Sequence, residues 1–302
     1  MFIVLKSLIL LICVLLSVAF LVLAERKTMG YMQRRKGPVF VGFWGCLQSI
    51  ADGLKLVLKS SLNVFGIEKS LYIASPFISF FIALLSWSFI PTGLLIQDSR
   101  ISLIFILALN SIGVYGVLLA GLSSSSKWSF LGGLRSAAQI ISYELSINTC
   151  IFAIMIIVGS VSIIEIINYQ INIHLIFPLL CFILISFIIS LAEINRAPFD
   201  LPEAEAELVA GYNVDYSSIN FAFFFLAEYT HIVLISFIIS ILFLGTTFNN
   251  LAPLVFLFLL IQVRAVLPRY RYDQLIKLGW KELLLISFSL LFLITIFILN
   301  LV

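Results

Sequence analysis

Long apolar runs recur along the whole chain, and they leave it few ways to fold. Eight of them fall at 3–24, 72–95, 101–122, 138–161, 173–194, 219–243, 251–267 and 283–302. Most hold about the 20 residues an α-helix needs to cross a hydrocarbon layer of roughly 30 Å. In that solvent every backbone N–H and C=O must be satisfied within its own segment, so each run is expected to be helical. Of 302 residues, 62% are hydrophobic and 11% charged, against roughly 25% charged in an ordinary soluble domain. The expectation is an all-α integral membrane protein, a single polytopic domain over residues 1–302 with about eight transmembrane helices. The first run has no small-residue cleavage site, so it reads as a retained helix and not as a secretory signal.

The connections carry the remaining information. In residues 45–60, GCLQSIADGLKLVLKS, Leu47, Ile50, Ala51, Leu54, Val57 and Leu58 recur at three- and four-residue spacing, with Asp52, Lys55 and Lys59 elsewhere. That pattern predicts an amphipathic helix lying at the membrane surface. The charged triplet Glu25-Arg26-Lys27 reads as the stop of the first helix, and a polar turn is expected from Ser123 to Arg135. Of the 18 basic residues, only Lys6 and Arg100 lie outside the loops that follow spans one, three, five and seven. By the positive-inside rule both termini then face away from the inner compartment. The longer loops face inward, where a soluble partner would dock. The four cysteines (Cys13, Cys46, Cys150, Cys181) share no paired spacing. This argues against a zinc site, an iron–sulfur cluster or a disulfide framework. No glycine-rich phosphate-binding motif is present, and no nucleic-acid partner is expected. No internal repeat is evident, which disfavours an inverted-repeat transporter.

Nearly half of the 15 acids fall between Ala192 and Tyr229: Glu193, Asp200, Glu203, Glu205, Glu207, Asp215 and Glu228, with Arg196 the one base among them. Carboxylates beside hydrocarbon are costly unless paired, protonated or wetted. Glu203, Glu205 and Glu207 alternate with small apolar residues. A helix would put Glu203 and Glu207 on one face; an extended chain would put all three on one side. Either way neighbouring carboxyls oppose one another's ionisation, and a carboxyl titrating near neutrality can take up and release protons. The competing reading is a solvated acidic loop. Glu144, Glu193 and Glu228 lie within spans or at their ends, where a proton path competes with a buried structural hydrogen bond.

Among the bases, Arg26, Arg34, Arg35, Arg269 and Arg271 serve equally well as positive-inside anchors. The segment RAVLPRYRYDQL (264–275) interleaves Arg264, Arg269 and Arg271 with Tyr270 and Tyr272. Such a mixture suits contact with a partner or with a polar ligand head group. Phe221, Phe223, Phe224 and Phe225 follow the acidic stretch. They either pack the bundle or line a pocket for an apolar ligand tail. His174 and His231 read as structural.

Five stretches taken together carry a family resemblance: LAERKTMGYMQRRKGP (23–38), LQSIADGLKLVLK (47–59), SKWSFLGGLRSAAQIISYE (126–144), the acidic stretch (192–229) and PRYRYDQLIKLGWK (268–281). In this order the chain resembles the quinone-chamber membrane subunits of respiratory complex I, that is, chain 1 of mitochondrial NADH:ubiquinone oxidoreductase and its bacterial counterpart. The resemblance implies eight helices and ubiquinone as substrate, entering from the membrane into a narrow chamber. It implies partners: soluble quinone-module subunits on the basic face, adjoining membrane-arm subunits, and lipid. Iron–sulfur clusters and flavin would sit in those partners, with no cofactor or metal held by this chain. It implies a proton path through Glu144, Glu193 and Glu228, with Glu203, Glu205 and Glu207 near the chamber. Arg26 falls at a quinone-lining position, and Phe224, Arg269 and Arg271 are the further quinone-binding candidates. The location implied is the mitochondrial inner membrane, with a bacterial plasma membrane as the alternative. Three positions depart from the family pattern: Ser49 for proline, Ser60 for glutamate and Asp215 for glutamate. The rival readings are a stand-alone cation/proton antiporter and a purely structural anchor for a soluble arm.

Overall fold

The computed structural model describes residues 2–60, 66–91, 100–171, 173–200, 211–245 and 251–301. These form helices joined by turns, with no strand among the described residues. Six helical stretches are long and apolar enough to cross a membrane, and two shorter apolar helices accompany them.

Helix α1 runs from Phe2 to Met32, about 46 Å at 1.5 Å per residue. It therefore continues past the charged triplet expected to end it. The reason is that each of those charges finds a partner. Glu25 pairs with Arg264, Arg26 with Asp52 at 2.6 Å, and Lys27 donates to the Trp44 carbonyl at 2.5 Å. The helix ends at Arg34, whose φ of 57° is left-handed, while Arg35 N–H closes on the Gly30 carbonyl at 2.7 Å. That wrap satisfies a terminal carbonyl that would otherwise lack a partner. Helix α2 (Gln48–Leu58) buries none of its residues, and Ile50, Leu54 and Val57 are each more than half exposed. The helix that the spacing predicts is present, somewhat shorter than 45–60, with its apolar residues exposed on the protein's surface.

Helix α3 (Lys69–Ser86) passes into a 3-10 turn, Trp87–Phe89; the end of the second expected span, 92–95, lies outside the described residues. Helix α4 covers Ser102–Ser123 and α5 covers Lys127–Val158. The polar turn expected to reach Arg135 thus occupies only three residues. The Ser126 side chain accepts from Ser129 N–H at 3.3 Å and starts α5 there. Gly132 and Gly133, which look like turn residues, are instead packing residues. A Cβ on Gly133 would stand 3.0 Å from the Gly121 Cα on α4, and one on Gly132 would stand 2.9 Å from the Gly211 carbonyl carbon.

Helix α6 (Ile163–Gln170) is short, and α7 covers only Leu180–Glu193, so the fifth expected span begins seven residues late. At 14 residues it measures about 21 Å and stops inside the protein. One more backbone turn serves its last carbonyls, Ile194 N–H closing on Ser190 at 3.1 Å and Asn195 N–H on Ala192 at 3.3 Å. Gln139 of α5 braces the break that follows, donating from Nε2 to the carbonyls of Ala192 on α7 and Phe199 beyond it, both at 2.8 Å. The α7 end is thereby held in the interior with Glu193 upon it.

Helix α8 (Ser218–Leu244) is the axis of the bundle: 67% of its most apolar stretch is buried, against 11% for the C-terminal helix. Helix α9 covers Leu251–Val266. Helix α10 (Tyr272–Lys277) continues through a π-helical turn, Leu278–Leu283, into α11, Leu284–Leu301. Part of the basic connection 268–281 is therefore helical. The C-terminal helix is held to α5 by polar contacts. Thr149 donates to the Ser287 hydroxyl at 2.7 Å, Trp280 Nε1 to the Ser142 hydroxyl at 3.0 Å, and Tyr143 to the Leu275 carbonyl at 2.8 Å.

Candidate functional site

The break after α7 turns the chain back through the bundle, and Arg196 lies on that break with 8% of its surface exposed. A buried guanidinium must be compensated. Two carboxylates approach it: Glu25 of α1, with 3.5 Å between Arg196 Nη1 and Glu25 Oε1, and Glu228 of α8, with 3.7 Å between Arg196 Nη2 and Glu228 Oε2. Its plane also lies 4.5 Å from the centre of the Tyr229 ring, a favourable cation–π placement. Glu25 is 6% exposed. It accepts from the Tyr229 hydroxyl at 2.6 Å and pairs with Arg264 of α9. The outer Glu228 oxygen accepts from the Tyr212 hydroxyl at 2.7 Å. The result is an alternating row, Arg264–Glu25–Arg196–Glu228–Tyr212, with two acids and two bases. The row joins α1, α8, α9 and both borders of the acidic stretch. Acids and bases balance, which is what makes it tolerable to bury Glu25 and Arg196 and to half-bury Glu228 and Arg264.

Beyond Tyr212 lies a cavity of about 110 Å³, lined by Tyr212, Glu228, His231, Phe224, Asn110 and Glu193 among others. Glu193 is 5% exposed. Its Oε1 accepts from Asn110 Nδ2 at 3.3 Å, and its Oε2 has no hydrogen-bond partner among the described residues. A buried carboxyl oxygen without a partner among the described residues, at a cavity whose mainly apolar wall also carries Asn110, Tyr212, Glu228 and His231, is suited to ordered water. Phe224 closes the wall, 2% exposed and edge-on to Tyr212 and Tyr216. Tyr216 in turn stacks on Tyr72 at 4.3 Å and meets the Ser75 and Ser123 hydroxyls at 2.8 and 3.1 Å. Burial raises its phenol above the ordinary value, so it stays protonated.

The sequence candidates divide by place. Glu193, Glu228 and Phe224 meet at this cavity. Glu144 lies half-buried on α5, one turn after Ile140, which lines the same cavity. Arg269 pairs with Asp200 at 2.8 Å, and its neighbour Tyr270 stacks on Phe199 at 5.3 Å. The Arg/Tyr segment thus folds onto the first part of the acidic stretch. Arg271 precedes α10 and is exposed. Arg26 is paired with Asp52 and ties α1 to α2. Glu203, Glu205 and Glu207 lie outside the described residues. Sequence reasoning passes over Glu25, Arg196 and Tyr212 as site residues. Glu25 carries the same signal as Glu193, a carboxyl at the border of an apolar run, but the adjoining Arg26 and Lys27 mask it. Among the described residues no three His, Cys, Asp or Glu side chains converge to hold a metal ion.

The comparisons with known proteins agree on one family. The model of the NADH dehydrogenase family matches residues 5–295. An NADH-ubiquinone oxidoreductase chain 1 from Dictyostelium citrinum is 52% identical over 287 residues, covering 93% of this chain and 89% of that protein. The chain 1 of Arabidopsis thaliana is 48% identical over 293 residues, covering 91% and 90%. An NADH-quinone oxidoreductase subunit from the bacterium Rhodospirillum centenum is 46% identical over 310 residues, covering 97% and 92%. A helical membrane bundle built around buried acids, matched end to end in this way, belongs to the NADH dehydrogenase family.

Proposed function

We propose that the chain is the membrane subunit of a proton-translocating NADH:ubiquinone oxidoreductase. It forms part of the quinone-binding chamber and holds acids that couple quinone reduction to proton movement. It would work in the mitochondrial inner membrane or, in a bacterium, the plasma membrane. The relatives are named for NADH and ubiquinone or quinone, and none of those named above is an antiporter. The single observation that carries the coupling role is the buried row from Arg264 to Tyr212 opening on the cavity that holds Glu193.

Reduction of a quinone to its quinol takes two electrons and two protons. The electrons would come from iron–sulfur clusters on soluble partner subunits docked at the basic face, and flavin there would take them from NADH. This chain contributes position and charge. A unit negative charge appearing about 10 Å from a carboxyl changes its energy by roughly 1.7 kcal/mol at an effective dielectric near 20. That exceeds a tenfold change in proton occupancy. Because Arg196 is shared between Glu25 and Glu228, a change at one acid alters the field at the other. Glu228 and Glu193 face one cavity, and water in it would let a proton pass between them. Glu144 would take the path onward along α5 to adjoining membrane-arm subunits, with Glu203, Glu205 and Glu207 near the chamber. Arg26, Phe224, Arg269 and Arg271 are the proposed quinone contacts.

Glu193→Gln tests the path. Protons moved per NADH oxidised by quinone should fall at least severalfold, with rates normalised to assembled complex by NADH oxidation through an artificial acceptor. Unchanged pumping removes Glu193 from the path. A photoreactive quinone should label residues 192–229 or 264–273; labelling confined to other subunits removes the chamber from this chain. If neutralising Glu144 and Glu228 together leaves turnover unaltered, the chain is an anchor for the soluble arm.

A further inference from the structure

The row of charges ends on a phenol, and the way that phenol is held is unusual for a loop residue. Tyr212 lies in a one-turn 3-10 segment, Gly211–Asn213, in the second half of the acidic stretch. Three independent contacts fix it. The turn presses on α5 where only glycine fits: a Cβ on Gly132 would come within 2.9 Å of Gly211 C and Tyr212 N. The Tyr212 carbonyl accepts from the Ser129 hydroxyl at 3.1 Å. The ring stands edge-on to Phe224, centroids 5.6 Å apart at 81°. With backbone and ring both immobilised, the hydroxyl donates to Glu228 Oε1 at 2.7 Å. The other Glu228 oxygen faces Arg196 at 3.7 Å. Tyr212 and Glu228 both line the cavity that Glu193 faces.

We propose that Tyr212 is a positioning residue for coupling: its hydroxyl holds the Glu228 carboxyl at the junction between the buried ion-pair row and the Glu193 cavity. This deepens the proton-path reading above and rests on it. The carboxyl has two competing attachments, one to the guanidinium and one to the phenol. Without the phenol, Arg196 alone directs it, and the carboxyl swings toward the ion-pair row and away from the cavity. Packing alone would make the ring the important part of Tyr212; positioning makes the oxygen the important part. The two readings separate cleanly, because phenylalanine keeps the ring.

The experiment uses the assembled oxidoreductase carrying Tyr212→Phe, Glu228→Gln or both. Turnover with a short-chain ubiquinone and protons moved per quinone reduced are measured, normalised to assembled complex. A hydrogen bond to a charged group corresponds to about a tenfold effect. Tyr212→Phe should therefore lower kcat for coupled quinone reduction about tenfold with the quinone KM unchanged. The double variant should be no worse than Glu228→Gln alone, since the phenol acts only through that carboxyl. Wild-type behaviour of Tyr212→Phe beside an impaired Glu228→Gln overturns the positioning role and leaves the proton path standing. Additive losses in the double variant also overturn it. Normal pumping by Glu228→Gln overturns both.

Discussion

The Tyr229 hydroxyl donates to the Glu25 carboxylate at 2.6 Å, binding α8 to α1 through one short charge-assisted bond. The same ring lies beneath Arg196, so Tyr229 serves an acid with its edge and a base with its face. Tyr229→Phe removes only the first of these. The expected outcome is a loss of about 1.5–3 kcal/mol at this contact. It should be read as a lower thermal midpoint of the purified complex and slower quinone reduction. Glu25→Gln leaves two guanidinium groups facing a neutral amide, and breaking a buried pair costs about 3–5 kcal/mol. Native gels should then show little of the variant chain in assembled complex.

Gln139 satisfies two carbonyls at once, those of Ala192 and Phe199. Gln139→Leu keeps the volume and removes both donors. The Phe199 carbonyl loses this donor and the Ala192 carbonyl keeps only a 3.3 Å bond from Asn195 N–H, and a buried acceptor left unsatisfied costs about 1–3 kcal/mol. The prediction is a sharp loss of thermal stability together with loss of proton pumping, because Glu193 sits on the helix end that Gln139 holds.

Two glycine substitutions should move stability in opposite directions. Gly132→Ala places a methyl group 2.9 Å from the backbone of the Gly211 turn, and such overpacking costs about 1–3 kcal/mol. Gly53, inside the exposed helix α2, has nothing within 4 Å of its missing Cβ. Gly53→Ala should stabilise by up to about 1 kcal/mol through helix propensity. Thermal denaturation of the two complexes side by side checks both signs.

The Arg26–Asp52 pair is partly exposed, at 47% and 34%. Such pairs contribute about 0–1 kcal/mol and weaken with salt. Arg26→Ala should leave the thermal midpoint nearly unmoved. A quinone KM raised severalfold in that variant would then report lost ligand contact and not lost structure; an unchanged KM removes Arg26 from the quinone site.

Much of this was readable before any coordinates. A helical membrane bundle follows from run length and hydrocarbon thickness, and the amphipathic α2 from its three- and four-residue spacing. Glu193 and Glu228 stand out because a carboxyl beside an apolar run needs a reason. Two boundaries differ because distant contacts override local sequence. The charges at 25–27 do not end α1, since Glu25 is neutralised by Arg264, 239 residues away in the chain, and the expected turn up to Arg135 is helical where Gly132 and Gly133 serve packing. Neither compensation has a local signature. Tyr212 is similarly silent, because a tyrosine after an acidic loop acquires its role only when Gly211 is pressed onto α5.

The thin attachment of the C-terminal helix has a practical side. Between membrane helices, lipid is as good an apolar neighbour as leucine, so greasy contact alone gives little grip. What grips α11 and the turn before it is a short ladder of hydroxyl, indole and carbonyl bonds to α5. Tyr143, Leu275 and Ser287 are fully buried, so detergent head groups at the membrane surface do not reach these bonds. The last helix is thus secured by a few sheltered polar bonds, and removing them one at a time is what would free it from the bundle.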